Sequence, residues 1–161
     1  ANLRITEVKR GQLGDATAKA VLLQALARGQ KLAAYSGHGS ANSWRGNLLT
    51  NADASALTNS GRLTVFVMMN CLNGYFHDPQ SDSLAEALLK ADQGGAIAVW
   101  ASSAMTFPDG QSLMNQSLYR LLFGTANLRL GDAVRISKTA TQEIDARRTW
   151  ILLGDPTMRL R

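Results

Sequence analysis

The chain contains one cysteine, three prolines and few aromatic residues among its 161 residues. A single cysteine excludes a disulfide bond within the chain, and one cysteine with two histidines falls short of the usual Cys/His metal clusters. Aromatic residues make up 6% of the chain and no basic run is interleaved with them. The formal net charge of +5 therefore indicates solvated surface rather than a nucleic-acid platform. No apolar run approaches the roughly 20 residues of a membrane span.

Hydrophobic residues make up 45% of the chain and charged residues 18%, which is the composition of an ordinary globular domain. The length fits one domain with a substantial buried core. Residues 1–161 are therefore treated as one unit, without linkers or internal repeats. Because the first residue is Ala1 rather than Met, we expect a processed or excised piece of a longer protein. The compartment is unknown from these features.

Apolar, strand-like segments alternate with helical patterns along the chain. Strands are predicted at residues 2–8, 31–37, 62–70 and 95–102, with a last strand starting near residue 149. Helices are predicted at residues 14–29, 51–59, 81–95, 110–124 and 130–148. This alternation predicts an α/β fold with a mostly parallel central sheet and helices on both faces.

Two predicted inner strands are followed at once by residues that can do chemistry. His38 stands within Gly-His-Gly after the strand at 31–37, and Cys71 follows the strand at 62–70. Working residues of parallel sheets lie just beyond the carboxyl ends of the strands. We therefore expect His38 and Cys71 to emerge side by side at one edge of the sheet.

An imidazole beside a thiol favours the nucleophilic thiolate and can protonate a leaving amine. The amides of Gly39 and Cys71 are the expected donors to the oxygen of a tetrahedral intermediate, which makes them a candidate oxyanion hole. On spacing alone, two structural alternatives stay open. Cys71 can be a small buried hydrophobe, and His38 can be a hydrogen-bonded residue of a tight turn.

Four segments add weight to the catalytic alternative: YSGHGSANSW, NCLNGYF, SLAEALLKADQGGAIAVWASS and TWILLGDPTMRL. Together, and in this order from about residue 31 to the end, they resemble the gingipain family of cysteine peptidases in the caspase-like clan. The resemblance implies a caspase-like three-layer sandwich and hydrolysis of peptide bonds through a His–Cys dyad. It sets His38 on the family's catalytic histidine, Cys71 on its nucleophile and Gly39 on its oxyanion-hole glycine.

Three further residues are candidates for substrate binding. Trp44 matches an aromatic residue in the family's loop after the histidine. Asn70, directly before the nucleophile, stands where the family has a small alanine. Phe107 follows the strand at 95–102, where walling a substrate pocket and packing against the next helix are equally compatible with its position.

The family's first strand, the acidic residue that assists its histidine and part of its specificity pocket have no counterpart in the chain. The resemblance therefore implies that residues 1–161 are the carboxyl-terminal majority of a peptidase domain, completed by an upstream chain or segment of the same protein. It also implies a preference for Arg or Lys on the acyl side of the cut bond, maturation by processing, and secretion or surface association. No cofactor is implied, and Asp78, Asp82 and Asp109 lack the spacing of a calcium loop.

These observations predict a cysteine endopeptidase of gingipain type that acts on proteins or peptides. Two alternatives are a non-catalytic caspase-like module that binds a peptide or regulates a larger protein, and a thiol hydrolase that acts on small amides.

Among the remaining residues, His77 is predicted on the surface, Trp100 in the core and Asp155 in a turn that its side chain stabilises.

Overall fold

A computed structural model describes residues 4–160 as six strands and seven helices. The strands are β1 (Leu32–Ser36), β2 (Gly39–Ser40), β3 (Ser43–Trp44), β4 (Thr64–Met69), β5 (Ala96–Ser102) and β6 (Trp150–Gly154). The helices are α1 (Arg10–Leu13), α2 (Asp15–Ala27), α3 (Asn51–Ser55), α4 (Leu84–Leu89), α5 (Pro108–Phe123), α6 (Leu130–Ser137) and α7 (Ile144–Thr149). Single 3-10 turns lie at Arg45–Asn47, Ser60–Arg62 and Lys138–Ala140. None of the helices within this range combines the length and the apolarity that crossing a membrane requires.

The central sheet has the strand order β1-β4-β5-β6. β1, β4 and β5 run parallel, and β6 is antiparallel to β5. The predicted mostly parallel sheet is therefore confirmed. β2 and β3 form a separate short hairpin directly after β1.

Helices cover both faces of this sheet, so the domain has three layers. β4 is buried along its whole length, with Phe66 and Met68 on one face and Val65, Val67 and Met69 on the other. The first face packs against α2, α3 and α4, and the second against α5, α6 and α7. A strand that is apolar on both faces is typical of the interior of a parallel sheet.

β1 departs from the expectation of an inner strand. Among the described residues it is the edge strand of the sheet, and Ala34 and Ser36 are exposed. The apolar residues of β1 therefore do not mean that the described residues place a neighbouring strand on each side of it. The prediction of two neighbouring inner strands is right for β4 and wrong for β1.

Other predicted elements also differ from the structure. The helices predicted at 51–59 and 81–95 are shorter, at Asn51–Ser55 and Leu84–Leu89. Residues 4–8 are not in a strand, and residues 2 and 3 of that prediction lie outside the described range. The helix predicted at 130–148 ends as α6 at Ser137 and resumes as α7 at Ile144. Between them Thr141 is extended and buried, and its hydroxyl accepts a hydrogen bond from the Glu143 amide at 3.1 Å. Such a local side-chain bond competes with helical bonding.

Three single-residue predictions are confirmed. Trp100 is fully buried on the α5–α7 face of the sheet. Asp155 accepts hydrogen bonds from the amide and the hydroxyl of Thr157 at 2.8 and 2.7 Å, which stabilises the turn after β6. His77 is exposed and lies against the ring of Tyr75.

Candidate active site

The pairing of β1 with β4 brings His38 level with Cys71. The register sets Ser36 opposite Met69, and the bond from the Gly37 amide to the Met69 carbonyl, at 3.2 Å, continues it past the strand ends. His38 is the second residue after the end of β1, and Cys71 is the second residue after the end of β4. The two residues thus follow adjacent parallel strands at the same edge, as expected from the sequence.

The backbone of His38 is held by two donors to its carbonyl oxygen. The Tyr35 hydroxyl donates at 2.8 Å and the Arg45 amide at 2.9 Å. The ring of Tyr35 stacks on Trp44 with centroids 4.1 Å apart and planes 5° from parallel. Burial raises the pKa of Tyr35 above its usual value, so the phenol stays protonated and able to donate at neutral pH. The His38 side chain itself is exposed.

Gly39 begins the hairpin of β2 and β3, opposite Trp44. Because the Arg45 amide bonds to the His38 carbonyl, Gly39 and Trp44 form the non-hydrogen-bonded pair of this hairpin. The Gly39 amide therefore points away from β3. A Cβ at position 39 would collide with the side-chain nitrogen of Asn70, so only glycine fits there.

The loop after Cys71 contains an unusual backbone conformation. Leu72 has a φ of 66°, a left-handed conformation that is costly for a branched side chain. Its amide donates to the Ala104 carbonyl at 3.3 Å, and the Gly74 amide donates to the Ser102 carbonyl at 2.8 Å. Within the described range the Cys71 amide has no acceptor. Strained residues concentrate at functional sites, and the sequence carries no signal of this one.

Two buried asparagines connect the Cys71 loop to the hairpin. Asn70 is 1% exposed and Asn73 is 0% exposed. The Asn70 side-chain amide donates to Oδ1 of Asn73 at 2.5 Å, and the Asn73 side-chain amide donates to the Ser40 carbonyl at 2.6 Å and, more weakly, to the Ser43 carbonyl at 3.4 Å. The hairpin and the Cys71 loop are therefore one hydrogen-bonded unit.

The loop after β5 forms the other side of Cys71. The Cys71 thiol donates to the Thr106 carbonyl at 3.6 Å. Gln111, which is buried at the start of α5, donates to the Thr106 hydroxyl at 3.0 Å and to its carbonyl at 3.3 Å. Met105 and Phe107, on either side of Thr106, are 76% and 77% exposed. The sequence did not predict Met105 or Gln111 as residues of the site. For Gln111 a signal was available, because it is a lone polar side chain on the buried face of α5.

The candidates for substrate binding differ in exposure. Phe107 is exposed beside the cysteine, as a pocket wall would be. Asn70 is 1% exposed, so it lacks the free surface that direct contact with a substrate requires, whereas Trp44, although 2% exposed, belongs to the lining of a cleft beside His38. This burial corrects the prediction for Asn70, whose side chain packs on the backbone of Gly39 instead, and the role of Trp44 stays a prediction.

A cleft of about 490 Å³ opens beside His38 and is lined by residues 38–40 and 43–46. No carboxylate lies among these residues, and Arg45 is the charged one. The nearby carboxylate of Asp15 is hydrogen-bonded to Arg10, which lowers the pKa of Asp15. In residues 4–160 no three His, Cys, Asp or Glu side chains cluster as metal ligands would.

His38 and Cys71 are not joined by a hydrogen bond within residues 4–160. Catalytic contacts are often long in the absence of substrate and tighten in the complex. The arrangement brings together an exposed imidazole, the only thiol of the chain and two backbone amides, one of them without an acceptor and the other directed away from its hairpin partner. These groups suffice for nucleophilic attack on a carbonyl and for stabilisation of the resulting oxyanion.

The fold defines the class of protein as an α/β domain of caspase-like architecture. The chain is similar to the crystal structure of the Arg-specific cysteine proteinase gingipain R, with a TM-score of 0.76 and 26% identity over 89% of this chain and 36% of that one. A complex of pro- and mature domains from Porphyromonas gingivalis has the same fold, with a TM-score of 0.78 at 24% identity over 86% of this chain.

The model of peptidase family C25 matches residues 4–161, and the chain belongs to this family. Gingipain R2 of Porphyromonas gingivalis is 29% identical over 87% of this chain. Gingipain R1 of the same species is also 29% identical over 87% of the chain. The chain spans 21% of the length of gingipain R2 and 15% of that of gingipain R1.

We expect the Tyr35→Phe substitution to loosen the His38 loop without removing the stack on Trp44. The substitution deletes one hydrogen bond to the His38 carbonyl, so the free energy of unfolding should fall by about 1 kcal/mol. The Arg45 amide, which bonds to the same carbonyl, should exchange its hydrogen faster in the complete protein. Tyr75→Phe is the matched control, and equal acceleration in both variants would contradict the role of Tyr35.

Proposed function

We propose that the chain carries the catalytic centre of a cysteine endopeptidase that hydrolyses peptide bonds through His38 and Cys71. One observation supports the proposal: His38 and Cys71 lie at the same height beyond two adjacent parallel strands, in a chain that belongs to a peptidase family. The exposed Phe107 beside the cysteine supplies one apolar wall for the substrate. Similarity to the gingipains also supports secretion or surface association of the protein.

In the proposed reaction His38 accepts the proton of the Cys71 thiol, and the thiolate attacks the carbonyl carbon of the peptide bond. The carbonyl π electrons move to the oxygen, whose negative charge is stabilised by the amides of Gly39 and Cys71. The intermediate collapses, the C–N bond breaks, and His38 gives its proton to the leaving amine. Water, deprotonated by His38, then attacks the thioester and releases the acid with return of the proton to sulfur. Thiol, imidazole, amides and water complete these steps, so the proposal requires no cofactor.

Replacement of either member of the dyad should abolish hydrolysis. Cys71→Ala and His38→Ala are each expected to lower kcat by several orders of magnitude, because no other cysteine is present and one other histidine, His77, lies in a different loop. The measurement is the rate of peptide cleavage by the complete protein, with the fold checked by circular dichroism.

His77→Ala is the matched control and should keep the wild-type rate, since His77 is exposed and lies against Tyr75. Peptide cleavage at the wild-type rate by Cys71→Ala would contradict the peptidase assignment. Tight peptide binding with no cleavage in the wild type would favour the non-catalytic module instead.

The proposal includes an upstream segment of the same protein that completes the domain at the open edge of β1. Among the described residues β1 has a neighbour on one side, β4. The bonds from the Val65 amide to the Lys31 carbonyl and from the Gly37 amide to the Met69 carbonyl fix which β1 amides face β4. In a parallel pair these alternate, so the amides of Leu32, Ala34 and Ser36 face outward. Unpaired edges of this kind readily accept a further strand.

In the complete protein we expect the amides of Leu32, Ala34 and Ser36 to be protected from hydrogen exchange, because a further strand would bond to them. Hydrogen exchange read by NMR or mass spectrometry makes the measurement, with the exposed amides of Ala126 and Asn127, which have no acceptor among the described residues, as an unprotected reference. Exchange of the three β1 amides at the rate of that reference would exclude a strand at this edge.

The proposed specificity is for Arg or Lys on the acyl side of the cut bond. A basic side chain in a pocket requires a carboxylate, since an unpaired charge is costly to bury. The cleft beside His38 is lined by Arg45 and by no carboxylate, so the upstream segment is the proposed source of the acidic group.

Fluorogenic peptides that differ only at that residue test the specificity in the complete protein. We expect kcat/KM for Arg and Lys peptides to exceed that for apolar and acidic ones by at least about tenfold, which corresponds to roughly 1.4 kcal/mol of transition-state binding. A peptide with norleucine, which keeps the alkyl chain and lacks the charge, is the matched control. Preference for Asp or for large apolar residues would refute the basic specificity and leave the dyad unaffected.

A further inference from the structure

Asn70 and Asn73 form a continuous hydrogen-bonded path from the end of β4 to the hairpin. The path runs from the Asn70 amide to Oδ1 of Asn73, and from the Asn73 amide to the carbonyl of Ser40. The Asn73 backbone is itself fixed, because its amide donates to the Cys71 carbonyl and its carbonyl accepts from the Ala85 amide, both at 2.9 Å. The side chain of Asn73 therefore extends from a rigid position to the hairpin.

The direction of the hydrogen bonds along this path is determined by the acceptor groups at its hairpin end. The backbone oxygens of Ser40 and Ser43 can only accept hydrogen bonds, so Asn73 must present its amide group to them and its Oδ1 to Asn70. Asn70 must then present its own amide group to Asn73. This orientation leaves Oδ1 of Asn70 buried and without a donor among the described residues. Asparagine at position 70 therefore lowers the stability of the fold, and its presence there requires an explanation other than stability.

The reason lies in the contact between Asn70 and Gly39. The Asn70 side-chain nitrogen fills the space where a side chain of residue 39 would lie, so it packs directly on the Gly39 backbone. Ser40, the next residue, is bonded to Asn73. Asn70 also precedes Cys71 in the chain. The two side chains thus set the separation between the amide of Gly39 and the amide of Cys71.

We propose that Asn70 and Asn73 are positioning residues that hold the Gly39 amide at the spacing from the Cys71 amide that an oxyanion requires. This inference rests on the proposed peptidase function and deepens it. Amides aimed at a developing oxyanion act mainly on kcat, because they bind the transition state more strongly than the substrate. Loss of the path should therefore lower kcat and spare both substrate binding and the reactivity of the thiol.

The test is Asn73→Ala in the complete protein. We expect kcat for peptide hydrolysis to fall by about 10²-fold, as for the loss of one oxyanion donor, with KM changed by less than about threefold. Alkylation of Cys71 by iodoacetamide should keep its wild-type rate and pH dependence, because displacement of iodide creates no oxyanion. The Arg45 amide, which bonds across the hairpin, should exchange hydrogen faster than in the wild type.

Asn59→Ala is the matched control. Asn59 is also buried, and beyond the amino ends of β4 and β5 its Oδ1 accepts from the Gly95 amide at 2.7 Å while its side-chain amide donates to the Gly95 carbonyl at 3.1 Å. It should lower the denaturation midpoint and keep kcat. A loss of kcat equal to that of Asn73→Ala would mean that both asparagines are merely structural, and would overturn the inference.

Two further outcomes are decisive. If Asn73→Ala keeps kcat within twofold of the wild type, the positioning role is wrong. If the wild-type protein cleaves no peptide, the proposed function fails and the oxyanion role of the two asparagines fails with it, and exchange of the Arg45 amide in Asn73→Ala then reports only whether Asn73 holds the hairpin. Should Asn73→Ala not fold, Asn70→Ala replaces it, with about tenfold lower kcat expected because the bond from Asn73 to Ser40 is kept. An unchanged kcat in a folded Asn70→Ala also overturns the inference.

Discussion

The candidate site depends on the parallel, in-register pairing of β1 with β4. Because Ser36 lies opposite Met69, His38 and Cys71 leave the sheet at the same level from adjacent strands. A shift of the register by one residue would move every β1 side chain to the other face of the sheet and His38 away from Cys71. The apolar side chains of β4, buried against helices on both faces, stabilise this register.

The loops beyond the strands are connected to one another by polar contacts, and the stack of Trp44 on Tyr35 adds apolar packing beneath the hairpin end. Three loops meet at Cys71: the His38 hairpin, the Cys71 loop and the segment after β5. Hydrogen bonds join them in pairs, from Asn73 to the hairpin and from Leu72 to Ala104 in the segment after β5, and the Gly74 amide bonds to Ser102 at the end of β5. The rigid sheet carries short loops that are hydrogen-bonded to one another. Such loops can hold catalytic groups in a fixed geometry although they contain no regular secondary structure.

Strong local signals were predicted correctly, and features that depend on distant partners were not. The run TVFVMM, apolar at every position after Thr64, forms the inner strand β4, and the strand predicted at 95–102 forms β5. The predictions were wrong for β1, whose edge position depends on what lies beside it, and for residues 4–8, which alternate in polarity but pair with no strand. It also missed the break at Thr141, because one buried hydroxyl outweighed a helical pattern.

The sequence by itself determined the fold class and the order of most elements, and it placed His38, Cys71 and Gly39 as candidates beyond two strands, because alternation of apolar segments and the position of glycine are local properties of the chain. Only the tertiary structure decided that Trp44 stacks on Tyr35, that Asn70 is buried against Gly39, and that Asn73 and Gln111 hold the loops around Cys71. The physical reason is that the polarity, burial and partner of an asparagine or glutamine side chain depend on backbone atoms about 5 to 35 residues away, which no pattern of neighbouring residues encodes.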